Sequence, residues 1–110
     1  MRKFGRKKDQ RQALLCGLAV NLITHGRIKT TQARAKEART LIERLVTYAK
    51  KGDLSGRRHI GRFLPAGAAK KLVKEIAPRF QTRVGGYTRI IKLGRRLSDS
   101  ARTVIMEFVE

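Results

Sequence analysis

Twenty-seven lysines and arginines stand against eight aspartates and glutamates in this chain, a formal charge of +19. Self-repulsion on that scale weakens a compact state held in isolation, so the chain needs a negative partner. Nucleic acid fits best. Each phosphate met by Lys or Arg releases condensed counterions, an entropy gain that a membrane or an acidic protein provides less uniformly. A core is still affordable, because 41% of the residues are hydrophobic, and 110 residues are enough for one domain and no more. No apolar run approaches the roughly 18 residues of a spanning helix, and Met1 to Gln12 lacks the apolar stretch and cleavage site of a secretory signal. The expected location is therefore the compartment of synthesis, the cytoplasm or an organelle with its own ribosomes.

The chain opens on Arg2, Lys3, Arg6, Lys7, Lys8 and Arg11 with Asp9 as the one acid, which reads as a basic arm over residues 1–9 ahead of a single RNA-binding domain at 10–110. Asp9 and Gln12 resemble a capping box. Leu15, Leu18, Ala19, Leu22 and Ile23 then recur at helical spacing, predicting a helix from about Gln10 to His25 with Gly26 as its stop. Arg27 to Thr30 is short and β-branched, hence a strand. Thr30 or Thr31 can cap a long second helix whose apolar face is Ala35, Ala38, Ile42, Leu45, Val46 and Ala49, ending at Gly52. On its other face Arg39 and Glu43 have the spacing of an ion pair.

Asp53 to Leu64 predicts a short third helix with Leu54, Ile60, Phe63 and Leu64 apolar. Ala69, Leu72, Val73 and Ile76 predict a fourth that Pro78 ends. Past Gly85-Gly86, Tyr87 to Leu93 and Thr103 to Val109 are rich in β-branched and aromatic residues and read as strands. Val104, Met106 and Phe108 alternate onto one face, which should meet the helices. The expected fold is α+β: two layers, a small mixed sheet of about three strands covered by helices, in the order α-β-α-α-α-β-β.

Catalytic chemistry is not written into these residues. One cysteine, Cys16, and two distant histidines, His25 and His59, give no metal-ligand spacing, so no metal or other cofactor is implied. The carboxylates fall at caps, on charged helix faces or at the terminus. Glu75 has Lys71 four positions before it, and Glu107 can pair with Arg89 or Lys92 across the hairpin, both structural arrangements. Gly85-Gly86 lacks the spacing of a phosphate loop. No small-molecule substrate is indicated. With aromatics at 5% and no tryptophan, base stacking is not the main mode of binding. Distributed Arg and Lys point instead to the phosphates of a folded, largely helical RNA. The competing class is a free-standing nucleic-acid-binding factor, histone-like or serving assembly, which would need a recognition helix or dimer seam.

Several strings carry a more specific signal: Arg11-Gln12-Ala13-Leu14, His25-Gly26-Arg27-Ile28-Lys29-Thr30-Thr31, Ala35-Lys36-Glu37-Ala38-Arg39, Ala77-Pro78-Arg79-Phe80, Gly85-Gly86-Tyr87-Thr88-Arg89-Ile90 with Lys92 after it, and Glu107 within the last strand. In this order, from about Arg11 to the end, the chain resembles the bacterial large-subunit ribosomal protein seventeen family. The resemblance implies an α/β domain of helix, strand, three helices and two strands. It also implies an RNA-binding role near the polypeptide exit side of the large subunit beside neighbouring ribosomal proteins, and no catalysis. The chain departs from the family in a shorter opening arm with Gln10 where a histidine is common. It also lacks the glycine before Asp99 and the proline after Ala101.

Candidate RNA contacts beyond the arm are Arg27 and Lys29 in the first strand, Arg34 in the second helix and Arg57 and Arg58 in the third. A cluster around the double glycine follows, Arg79, Arg83, Tyr87, Arg89 and Lys92, and the last loop adds Arg95 and Arg96. Binding through so many cations should be steeply salt-dependent. Titrating an RNA fragment should show log K falling against log salt by about 0.7 to 0.9 per phosphate contacted, and a total slope shallower than about −2 would refute multivalent contact.

Overall fold

The computed structural model describes residues 8–95 and 101–109. Its elements are α1 (Lys8–His25), β1 (Arg27–Thr31), α2 (Gln32–Lys51), α3 (Leu54–Gly61), α4 (Ala66–Lys71), β2 (Thr88–Arg95) and β3 (Arg102–Phe108), with a π-helical turn (Leu72–Ile76) and a 3₁₀ turn (Ala77–Phe80) between α4 and β2. The order is the one the pattern of residues predicts. Both strand pairings are antiparallel, so the sheet is not mixed, and its order β1-β3-β2 puts the last strand in the middle.

Helix α1 is already helical at Lys8, the first described residue, and Asp9 lies in its first turn. A carboxylate there still suits the positive end of the helix dipole. Leu15, Ala19, Leu22 and Ile23 form its buried stripe. Thr31 closes β1 and opens α2 at once: its backbone is extended, and its side chain accepts a hydrogen bond from the Arg34 amide at 3.4 Å. The apolar face read from α2 is buried throughout, with Leu41 added to it, and Gly52 ends the helix.

Asp53 caps α3 by accepting from the Gly56 amide at 2.7 Å. Leu54, read as one of the apolar members of this helix, is 64% exposed and stands outside the core. Two other contacts fasten α3 to α2. The rings of Tyr48 and His59 stack at 4.6 Å, and Gly56 passes so close to α2 that a Cβ there would lie 2.7 Å from the Tyr48 carbonyl oxygen.

Pro78 does not stop the helical path. A proline has no amide hydrogen and its ring presses on the carbonyl four residues back. The backbone answers by widening ahead of the proline, where the Ala77 amide donates to the Leu72 carbonyl, and tightening after it into the 3₁₀ turn. Leu72, Ile76, Ala77 and Phe80 thereby remain in the core. Val104 and Met106 are fully buried and Phe108 nearly so, on the sheet face that meets the helices as expected.

The close approach of Gly56 to a backbone oxygen leaves nothing that can yield. Gly56→Ala should lower thermal stability by about 1–3 kcal/mol, the usual range for forced overpacking, measured by a cooperative melt; an unchanged midpoint would mean that α3 does not press on α2 in this way.

Candidate nucleic-acid interface

Because Val104, Met106 and Phe108 point to the helices, Ile105 and Glu107 point away, and the register fixes their neighbours. Arg27, Glu107 and Arg89 share one rung across the three strands; Lys29, Ile105 and Ile91 share the next. Arg27, Lys29 and Arg89 are exposed. Glu107 sits between two guanidinium groups, Arg27 Nη2 at 3.5 Å from Oε2 and Arg89 Nε at 3.4 Å from Oε1. Burial pushes its carboxyl up, but Arg89 first and Arg27 second hold it below the ordinary glutamate value. Arg89 thus pairs as the sequence allowed, whereas Lys92 does not and Arg27 takes the second place.

A bulge between Lys92 and Gly94 breaks the ladder; Leu93 within it is exposed, as is Ile91 on the outward face just before it. Beyond it Arg95 faces Arg102 directly. Like charges on one rung destabilise a hairpin unless an anion lies against them. Lys92, Arg95 and Arg102 also line one shallow pocket.

On the helical side, Lys8 and Arg11 lie on the first turns of α1 and flank a cleft whose floor includes Leu15, Leu41 and Phe63, with Arg44 of α2 on its far side. Arg57 and Arg58 are exposed on α3, and Arg57 shares a second cleft with Lys70 and Lys74. Arg34 is half-buried in the first turn of α2. Arg2, Lys3, Arg6, Lys7 and Arg96 lie outside the described residues. Arg44, Lys70, Lys74 and Arg102 were not singled out from the sequence. Arg102 was recoverable from the hairpin register opposite Arg95, and the other three from their spacing on exposed helical faces.

The connection from Phe80 to Thr88 is held by α2. Arg79 and Arg83 are exposed, with Arg83 Nε donating to the Gly86 carbonyl at 3.1 Å. Gly85 and Gly86 both carry positive φ, 77° and 64°, which a side chain would oppose. Tyr87 corrects the expected RNA-facing cluster: it is 2% exposed, its ring packs on Phe80 at 5.2 Å, and its hydroxyl receives a hydrogen bond from Lys50 Nζ at 3.0 Å. Burial pushes that hydroxyl up, yet the hydrogen bonds of Lys50, the Gly85 backbone and Thr47, with the charge of Lys50, together hold it below the ordinary phenol value. Lys50 also donates to the Arg83 carbonyl.

Glu43 accepts from the amides of Tyr87 and Thr88 at 3.2 and 2.9 Å and from Thr88 Oγ1 at 3.0 Å, and Arg39 Nη2 donates to the Thr88 carbonyl at 3.4 Å. The pair expected between Arg39 and Glu43 is therefore replaced by two separate holds on β2. Lys71 likewise reaches the Thr24 carbonyl at 3.0 Å instead of Glu75. Burial pushes the Cys16 thiol up, away from the reactive thiolate. Among the described residues no group of three or more His, Cys, Asp or Glu could hold a metal ion, and no helix is long and apolar enough to cross a membrane.

Residues 14–109 match the family model described as ribosomal protein L17. A protein of Thermodesulfovibrio yellowstonii named large ribosomal subunit protein bL17 is 54% identical over 110 residues, covering 99% of this chain and 83% of its own. Its namesake in Thermoanaerobacter pseudethanolicus is 50% identical over 109 residues, 98% and 97% of the two chains. One from Clostridium botulinum strain Loch Maree is 48% identical, at 98% and 96%.

The two readings of Tyr87 separate in one variant. Tyr87→Phe removes the hydroxyl that accepts from Lys50 and donates to the Arg83 carbonyl at 3.4 Å, and keeps the ring, so stability should fall by about 1–3 kcal/mol, as for two lost hydrogen bonds, while RNA affinity in a binding titration stays unchanged.

Proposed function

The chain belongs to the ribosomal protein L17 family and is a structural constituent of the large ribosomal subunit, not an enzyme; from that premise we propose that it holds folded ribosomal RNA through arginines and lysines distributed over its surface. The observation that carries the reading is where the acids go. Glu43 is committed to the start of β2 and Asp53 to the cap of α3, and Glu107 serves only Arg27 and Arg89, so these three carboxylates leave most of the exposed cations without an acidic partner from among them. Arg57, Arg58, Arg79, Arg83, Lys92 and Arg95 are all exposed, on several elements.

Such a set recognises where phosphates lie in a folded RNA, with shape supplying the specificity. Rigidity helps. Ordering a long side chain costs up to about 2 kcal/mol, and a backbone fixed before binding has less freedom left to lose. The turn carrying Arg83 and the strand carrying Arg89 are both tied to α2, which favours them over cations on a free tail. The proposed set also includes Arg2, Lys3, Arg6, Lys7 and Arg96, which lie outside the described residues. The RNA partner is large-subunit ribosomal RNA, with neighbouring large-subunit proteins alongside, in the ribosomes of the cytoplasm. Relatives of nearly the same length that bear a subunit protein's name weigh against a free-standing factor.

Distributed contact has a quantitative signature. Lys29→Gln, Arg57→Gln and Arg79→Gln should each weaken binding to deproteinised large-subunit RNA and reduce the salt slope by about 1, as expected for one phosphate contact. The triple variant should show the sum and co-sediment poorly with large subunits at raised salt. A triple variant with the wild-type slope would refute the reading.

A further inference from the structure

We propose that Arg27 and Arg89 form a two-guanidinium clamp for a single RNA phosphodiester, and that Glu107 between them is its positioning residue. The proposal rests on the RNA-binding reading above and gives it one definite contact. Because β3 lies in the middle of the sheet, Glu107 has a neighbour on each side of its rung, and both are arginines. Adjacent strands lie about 4.8 Å apart, so the two arginine backbones are about 10 Å apart, a span that two long side chains close from opposite sides.

The exposures are graded. The Glu107 side chain is 13% exposed, and those of Arg27 and Arg89 are 63% and 59%. The carboxylate thus lies beneath, with one oxygen toward each arginine, and the guanidinium groups lie above it. Each guanidinium has five N–H donors in a planar fork and turns one nitrogen toward Glu107, leaving the other nitrogens for an oxygen ligand. Phosphate matches that fork in geometry. The three side chains together carry a net charge of +1, equal and opposite to one phosphodiester. As sheet fasteners the ion pairs would contribute little, since exposed pairs seldom stabilise a fold, and the strands are already joined by their ladder and by buried Val104, Met106 and Phe108.

The clamp predicts an effect of the opposite sign to plain electrostatics. Glu107→Gln removes a negative charge from an RNA-facing surface, which by itself should tighten binding to any polyanion. With Glu107 as positioning residue, affinity for deproteinised large-subunit RNA should instead fall about tenfold, mainly through faster dissociation, because short-range geometry acts on the off-rate and long-range charge on the on-rate. In an Arg27→Gln/Arg89→Gln background the same substitution should cause no further loss.

Unchanged or tighter binding by Glu107→Gln, or an equal loss in that background, would overturn the clamp. A wild-type chain that binds this RNA without steep salt dependence would overturn the RNA-binding reading itself, and the clamp with it. If Glu107→Gln fails to melt cooperatively, Arg27→Lys/Arg89→Lys decides: it keeps every charge and removes only the forks. A fall of about tenfold then supports the clamp, and wild-type affinity overturns it.

Discussion

The carboxylate of Glu43 joins the two layers of this protein. It projects from α2 and accepts three hydrogen bonds where β2 begins, from the amide of Tyr87 just before the strand and from the amide and hydroxyl of Thr88, its first residue. Hydrogen bonds to an ionised acceptor are about twice as strong as neutral ones, and a partly buried carboxylate left without them would carry the full desolvation penalty. Arg39 and Lys50 flank it at helical spacing, the first holding the Thr88 carbonyl and the second the Arg83 carbonyl and the Tyr87 hydroxyl. One stripe of α2 therefore sets where the chain leaves the helices, where β2 starts, and hence which rung Arg89 occupies.

That stripe also explains how so basic a chain folds. Eight acids cannot neutralise twenty-seven bases, and spread evenly over the surface they would form weak exposed pairs. Glu43 and Asp53 instead satisfy backbone amides, and Glu107 lies low between two arginines. Structure uses the scarce charge, and the abundant charge is left outward. The remaining repulsion, most plainly between Arg95 and Arg102 on one rung, is the part of the energy that only an external anion relieves.

Where a single periodicity decided the outcome, the sequence was readable. The apolar face of α2 and the inward set Val104, Met106 and Phe108 follow from burial on one side of a helix and of a strand, and Thr31 and Gly52 follow from capping chemistry. What escaped depended on partners distant in the chain. Arg39 and Glu43 look like a local pair until β2, more than forty residues on, supplies unpaired amides and a carbonyl. Tyr87 sits among cations in sequence yet is drawn inward by Phe80 and Lys50. Pro78 should end a helix by local rules. The burial of Leu72 and Ile76 before it and Ala77 and Phe80 beside it outweighs those rules, and the backbone deforms instead.

The strand order adds a dependence that no local pattern carries. Since β3 is both the last strand and the central one, β1 and β2 have no ladder partner until the C-terminal segment inserts between them. The exposed face is built by the same event. Arg27 and Arg89, sixty-two positions apart, become neighbours on one rung only through Glu107, and Lys29 and Ile91 only through Ile105. Loop closure over such separations must precede the contacts that reward it, so adding β1 to the face costs more chain entropy than closing the local hairpin of β2 and β3. For the proposed RNA-binding role, net charge alone suffices to attract a polyanion, but this face can present Arg27 and Arg89 side by side only once the sheet is complete.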